Sequence, residues 1–316
     1  MQKISYKNSE LRYELSPYRE PVARVRPGET VIVETQDASG GQISREGDVR
    51  DWMKLPFSNP VVGPLYVEGA EKGDTLSVVI REIKPLTGQG ATWFGGIDQY
   101  LGGTSITRLT GGSVPKAAKI CKIAEERISL MGGISLPYRP MIGTIGVAPH
   151  PELHSMSTVT NAGPHGGNLD LPDIAPGSKV FLPVFHDGAL LYLGDAHAAQ
   201  GDGEITEIAI EMSAEIRIKV DLVKSHDLEW PRVETDQELI SIVTTTGGRA
   251  LKEAKGEAFV QLSGWIEERC GLGQYDAFML CGEAGRIRIG NLSTAAAKIE
   301  KNLLPPQDRA TQLHHN

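Results

Sequence analysis

What most restricts the fold of this chain is a series of short β-branched runs, each closed by a glycine or proline turn. TVIVE at 30–34, TLSVVI at 75–80, KVFLPV at 179–184, ALLYL at 189–193 and EIRIKVDLV at 215–223 are too short for helices. Several alternate apolar and polar residues with period two, the pattern of a strand with one buried face. Turns such as Arg26-Pro27-Gly28-Glu29, Glu71-Lys72-Gly73-Asp74 and Ala175-Pro176-Gly177-Ser178 separate them. The last two each set a glycine and then Asp or Ser directly before a strand, the chemistry of a hairpin entry. Repeated over residues 1–225, this texture predicts a β-rich body of stacked sheets, a β-sandwich or distorted barrel. The segment 116–131, KAAKICKIAEERISLM, contains good helix formers but no i, i+3, i+4 apolar stripe, and it leans to strand.

From about residue 225 the pattern changes. LISIVTT at 239–245 reads as a strand, 249–270 as a long helix with Ala250, Ala254, Leu262 and Ile266 available to one face, 274–281 as a second helix, and 286–289 as a returning strand. Gly271 stands where a left-handed C-cap is expected. The fold class is therefore mainly β with an α+β portion. A β-α-α-β unit at 226–300 is expected to pack on the body, and 301–316, ending in His314, His315 and Asn316, reads as a disordered tail.

A chain of 316 residues makes one large domain or two ordinary ones. Its 40 carboxylates against 32 Lys and Arg, a net charge of −8, oppose a broad nucleic-acid surface and leave a small neutral substrate open. No run approaches the roughly 18 apolar residues of a membrane helix, and residues 1–14 lack the apolar core of a secretory signal. Cys121, Cys270 and Cys281 are too few for a disulfide framework and include no C-x₂₋₄-C pair. These features point to a cytoplasmic protein that binds neither membrane nor nucleic acid.

The densest polar constellation is GDAHAAQGDGE at 194–204, directly after ALLYL. If the strand runs on, Asp195 and His197 share a face, and a carboxylate beside an imidazole at a strand end is half of a divalent-metal site. Gly201 and Gly203 permit a reversal that returns Asp202 or Glu204 towards the same point. The same residues also build ordinary Gly/Asp loops. A second cluster, NAGPHGGNLD at 161–170, sets His165 beside Gly166 and Gly167, with Asn168 and Asp170 following. A third, ETQDASGGQ at 34–42, places Glu34 and Asp37 where a strand gives way to a glycine turn, a position that suits turn formers as well as ligands. Cys281 is either a buried, inert thiol or a nucleophile. Nucleotide-binding glycine motifs, the GxSxG elbow, HExxH and the Ser-Ser-Lys arrangement of serine amidases are all missing.

Taken in order, ETQDASGGQI, NPVVGPLYVEGAEKGDTL, IGTIGVAPHP, GPHGGNLD, LPVFHDGALLYLGDAHAAQGDGE and DAFMLCGEAGRIRIGN resemble the acetamidase/formamidase family from about residue 20 to 290. The most specific part is GGNLD followed by GDAHAAQGDGE. The segments 86–131 and 281–286 depart from the family texture. The resemblance implies a homodimer or larger assembly, a bound divalent metal, and hydrolysis of short-chain amides to a carboxylate and ammonia. It carries Glu34, Asp37, His165, Asp170, Asp195, His197 and Glu204 over as matching positions. On this reading Glu34, Asp37, Asp170, Asp195 and His197 hold the metal. Zn²⁺ suits such mixed donors, and Ca²⁺ or Mg²⁺ would suit an oxygen-dominated subset. Glu204 is the expected general base, His165 an oxyanion donor or acid, and Gly166, Gly167 and Asn168 bind substrate. The alternatives are a hydrolase of a cyclic or larger amide on the same fold and a non-catalytic ligand-binding β-sandwich.

Overall fold

The computed structural model describes residues 1–8, 10–95, 108, 111, 114–160 and 162–305. Its body is two large sheets and a two-stranded one. The first has nine strands in the order Gln2–Ser5, Thr30–Thr35, Ala214–Val223, Thr75–Pro85, Lys179–Pro183, Arg232–Glu234, Glu238–Thr244, Thr294–Glu300 and Arg286–Ile289. Along Ala214–Val223 the period-two pattern holds, with Ala214, Ile216, Ile218 and Val220 buried between the more exposed Glu215, Arg217, Lys219 and Asp221. The two glycine-turn entries lead into adjacent strands, since Thr75–Pro85 and Lys179–Pro183 pair antiparallel with Thr75 opposite Pro183.

The second sheet contains the strands that carry the site. Leu191–His197 lies between Met141–Gly146 and Glu211–Met212, and Gly166–Asn168 pairs with the far edge of Met141–Gly146. One continuous buried cluster joins Val31, Val78, Ile80 and Ile216 of the first sheet to Ile142, Ile145, Leu193 and Met212 of the second. Apolar inner faces of two sheets therefore meet, as a sandwich requires. The 116–131 segment forms a hairpin of Lys119–Ala124 and Arg127–Ser129, turning through Glu125 and Glu126, whose φ of 51° and 57° are those of a primed two-residue turn.

The long helix Leu251–Cys270 buries Ala254, Ala258, Leu262 and Ile266 and ends at Gly271 in the left-handed conformation. It packs with Gln274–Ala284 over Val243, Ala295, Ala297 and Ile299. The strands beneath these helices belong to the nine-stranded sheet, so the C-terminal segment extends a sheet that the body begins. At its first residues the expected tail is regular structure. Lys301–Leu303 is a 3₁₀ turn, and the Lys301 ammonium is 2.8 Å from Glu234. The rest of that expectation, 306–316, lies outside the described residues.

Candidate active site

The strand Leu191–His197 is buried along its whole length and ends on Asp195 and His197. Asp195 has a left-handed φ of 56°, a conformation that Asp tolerates better than most residues. This turns its carboxylate towards the imidazole, and Asp195 Oδ1 lies 3.5 Å from His197 Nε2. Antiparallel pairing sets Glu211 directly opposite His197, with Glu211 Oε2 3.4 Å from the same nitrogen. Asp170, just past Gly166–Asn168, brings its Oδ1 to 4.0 Å. The convergence depends on Gly143 in the intervening strand. A Cβ there would stand 2.5 Å from Asp170 Oδ1 and 2.8 Å from Asp195 Oδ2, so any side chain would fill the space the carboxylates share.

Each carboxylate is held by one oxygen. Asp195 Oδ2 accepts from Asn59 Nδ2 at 2.9 Å, and the Thr144 hydroxyl lies 3.2 Å away. Asp170 Oδ2 accepts from Asn291 Nδ2 at 2.8 Å, and Glu211 Oε1 from the Ala209 N–H at 3.1 Å. The other oxygens, Asp170 Oδ1, Asp195 Oδ1 and Glu211 Oε2, are buried with no hydrogen-bond partner among the described residues. All three face His197 Nε2. Ligand atoms of Asp170, Asp195 and His197 lie within 4.8 Å of one another, as do those of His197, Glu204 and Glu211. Buried anionic oxygens without donors are costly, and a divalent cation relieves that cost, so the donor set fits a metal. Three carboxylates and one imidazole suit Zn²⁺ or a harder cation.

The electrostatics are those of crowded anions. Burial, reinforced by the Asp195 charge, pushes the Asp170 carboxyl up to about 7, against the pull of His197 and the Asn291 hydrogen bond. Burial and the Asp170 charge hold the Glu204 carboxyl well above the ordinary carboxylate range. Burial also raises Glu211, against the pull of His197. For His197, burial opposes the charged form, but Glu211 and Asp195 outweigh it and hold the imidazolium well above its ordinary value.

This cluster lines a cavity of about 940 Å³, walled further by Asn59, Trp93, Asn168, Glu207, Asn291 and Ser293. Of the residues expected from the sequence, Asp170, Asp195, His197, Glu204 and Asn168 come together there. Asn168 presents its Oδ1 to Thr144 at 2.7 Å and to Asn59 at 3.3 Å. Glu34 is not brought to the cavity. It pairs with Lys3 at 2.8 Å, and the Lys3 hydrogen bond holds its carboxyl below the ordinary range. Asp37 closes its own turn, accepting from the Ser39 N–H at 2.9 Å. His165 is buried beside Gly163 and does not line the cavity. Gly166 is needed for packing, since a Cβ would stand 2.4 Å from the Ile145 carbonyl oxygen, and its N–H donates to the Gly163 carbonyl at 2.9 Å. Gly167 is paired opposite Ile145 and also lies off the cavity wall. Cys281 sits among the C-terminal helices with its thiol pushed up to about 11 by burial, which leaves it the inert thiol of the two readings.

Sequence reasoning missed Glu211, Asn59, Thr144, Gln200 and Asn291. Asn59, Thr144, Gln200 and Asn291 lie inside the motifs that carry the family resemblance. Glu211 lies in none of them, and only its register opposite His197 reveals it.

Fold and site together define a mainly β protein with a buried carboxylate and imidazole donor set at a cavity wall, the kind of set used in metal-assisted hydrolysis. Residues 5–163 and 154–241 match the model of the acetamidase/formamidase family. The chain belongs to that family. It is similar to the crystal structure of an acetamidase from Yersinia enterocolitica, with a TM-score of 0.86 and 38 % identity over 96 % of this chain and 93 % of that one. It is also 31 % identical to a putative formamidase of Schizosaccharomyces pombe and 31 % identical to an acetamidase of Mycolicibacterium smegmatis. These matches cover 63 % and 64 % of this chain, and it spans 60 % and 63 % of the length of those curated relatives.

Proposed function

We propose that this protein is a metal-dependent amidohydrolase that cleaves short linear amides of the formamide and acetamide type to a carboxylate and ammonia. The observation that carries the reading is the set of donor-less buried oxygens of Asp170, Asp195 and Glu211 around His197 Nε2. The names of its relatives, acetamidase and formamidase, support the substrate class. A divalent cation at these four residues, Zn²⁺ on the mixed donor set with Ca²⁺ or Mg²⁺ as alternatives, would supply polarisation of the amide carbonyl and a lower pKa for water.

The chain's own residues do the rest. Asn59, Thr144 and Asn291 hold the outer carboxylate oxygens and so aim the inner ones. Glu204, half-buried where the others are fully buried, is the proton carrier: it takes a proton from the attacking water and delivers it to the departing nitrogen. Burial and the Asp170 charge favour its protonated form, the form that delivers a proton to nitrogen. A homodimer or larger assembly in the cytoplasm belongs to the same reading, and light scattering on the purified chain tests the assembly.

The central experiment measures ammonia release from formamide, acetamide, propionamide and a small lactam, using protein stripped by a chelator and reloaded with Zn²⁺, Ca²⁺ or Mg²⁺. Turnover of the linear amides should vanish on stripping and return with one cation. Activity indifferent to the chelator would remove the metal from the mechanism, and preference for the lactam would replace the substrate class.

A further inference from the structure

Gln200 stands behind His197 rather than in front of it. Its Oε1 is 2.9 Å from His197 Nδ1, and its Nε2 donates to the Asp170 carbonyl oxygen at 2.6 Å and towards the Gly290 carbonyl oxygen at 3.3 Å. Two carbonyl acceptors on one side settle which end of the amide is which, because the reverse orientation would set oxygen against oxygen. With Oε1 facing the ring, Nδ1 must carry the hydrogen. Nε2 is then the nitrogen turned towards Asp170 Oδ1, Asp195 Oδ1 and Glu211 Oε2, and it is the one whose proton a cation would displace.

We propose that Gln200 is the positioning residue of His197: one side-chain amide fixes the ring orientation and the Nδ1–H form of His197 while tethering the backbone of Asp170 and of the turn at Gly290. The inference rests on the reading of this cluster as a cation site. It gives the Gln in HAAQGDGE a task distinct from that of the residues facing the cation. Tethering matters because Asp170 follows the strand Gly166–Asn168 while His197 ends Leu191–His197, and no other described side chain bonds to both. The turn at Gly290 is fixed in addition by the Gly203 N–H, which donates to the Gly290 carbonyl at 2.8 Å. Partners behind a ligating histidine orient it and raise its basicity, and their loss typically costs about 10–100-fold in metal affinity.

Gln200 also borders a second cavity of about 880 Å³, from which water would supply a substitute acceptor if the side chain were truncated. The test therefore uses Gln200→Met, which fills the space without an acceptor of comparable strength, and Gln200→Glu, which keeps an oxygen facing Nδ1. Zn²⁺ affinity is measured by competition with a chromophoric chelator. The imidazole nitrogens are read by ¹⁵N NMR on the Zn²⁺-loaded protein, with the His197 signals assigned from their loss in His197→Gln. Gln200→Met should weaken Zn²⁺ about 10–100-fold, Gln200→Glu should recover only the part of that loss owed to the Nδ1 acceptor, because its second oxygen would face the Asp170 and Gly290 carbonyls, and His197 in the parent should show a protonated Nδ1 with the metal on Nε2. Metal on Nδ1 in the parent protein would overturn the proposal. So would a Gln200→Met affinity within about twofold of the parent, a change too small for a lost partner behind the ligand. Neither measurement involves substrate, so both outcomes stand whether or not amides prove to be hydrolysed.

Discussion

Asp195 combines two demands that few residues meet, a left-handed backbone and a buried carboxylate aimed at a neighbouring imidazole. Replacement by Asn separates them, because Asn tolerates the conformation and keeps an acceptor for Asn59 while removing the charge. Asp195→Asn should therefore fold normally yet retain at least about tenfold less metal by elemental analysis, with amide turnover falling in parallel. Asp195→Ala should in addition lose about 1–2 kcal/mol of stability in thermal melts, the cost of a left-handed residue without a compensating side chain. Glu204→Gln should behave in the opposite way, keeping its metal while kcat falls by about 10²–10⁴-fold. An unchanged kcat would take Glu204 out of the proton path. Asp170, Asp195, His197 and Glu204 were legible in the sequence because each sits among glycines at the end of an apolar run, where a backbone reversal can gather polar groups. Glu34 and Asp37 carry the same local signature. They were not separable from the others because the Lys3 ion pair and the Ser39 turn that occupy them are set by strand pairing and loop closure rather than by residue type.

Element boundaries followed the same division. Strands with alternating β-branched residues, such as 30–34 and 215–223, and the helix with its glycine cap were readable because pattern and packing agree in them. Met141–Gly146, Gly166–Asn168 and Glu211–Met212 were not. Glycines at 143, 146 and 166 depress strand propensity, yet close approach of neighbouring backbone and carboxylates demands them, so local preference and tertiary need point in opposite directions. Turn chemistry is more transparent, and the entry at Glu71-Lys72-Gly73-Asp74 yields its own test. The Asp74 carboxylate accepts from the Glu71 N–H at 2.8 Å, the Ser225 N–H at 3.0 Å and Lys224 Nζ at 2.7 Å. Burial alone would raise its pKa, but these bonds outweigh burial and hold it below the ordinary value. The folded state thus releases this proton more readily than the unfolded chain. The resulting stability is present above the unfolded pKa of about 3.9 and is lost as pH falls through the folded value. Asp74→Asn should be destabilised by about 1–3 kcal/mol at neutral pH in denaturant titrations, and the difference from the parent should close as the medium is acidified.

At the scale of the molecule, the net charge of −8 is not spread evenly, because four of the 40 carboxylates, Asp170, Asp195, Glu204 and Glu211, fall in two groups that share His197. Both sheets and the C-terminal turn are committed to holding them there, with Asn291 and Gly290 reaching the site from the hairpin of Arg286–Ile289 and Thr294–Glu300. Such an arrangement opposes folding unless a proton or a cation occupies it. In metal-free protein the Asp170 carboxyl, held at about 7, keeps its proton over a range in which the unfolded chain, with its ordinary value of 3.8, has released it. Stability drawn from that proton is complete below the unfolded value and is lost as pH rises through about 7. Metal binding runs the other way, since the ligands must be deprotonated and a bound cation stabilises the folded state alone, by about 2.7 kcal/mol at a hundredfold excess over Kd. Thermal unfolding of chelator-treated and metal-loaded protein should therefore diverge from about pH 5 to about pH 8, the treated form losing Tm while the loaded form holds it. Asp170→Asn should make the metal-free curve shallower by removing one of the protons that drive it, with Glu204, Glu211 and His197 supplying the others. A gap between the two forms that stays constant with pH would mean that the cation and the protons do not compete for the same carboxylates, and the metal would then have to be sought elsewhere in the fold.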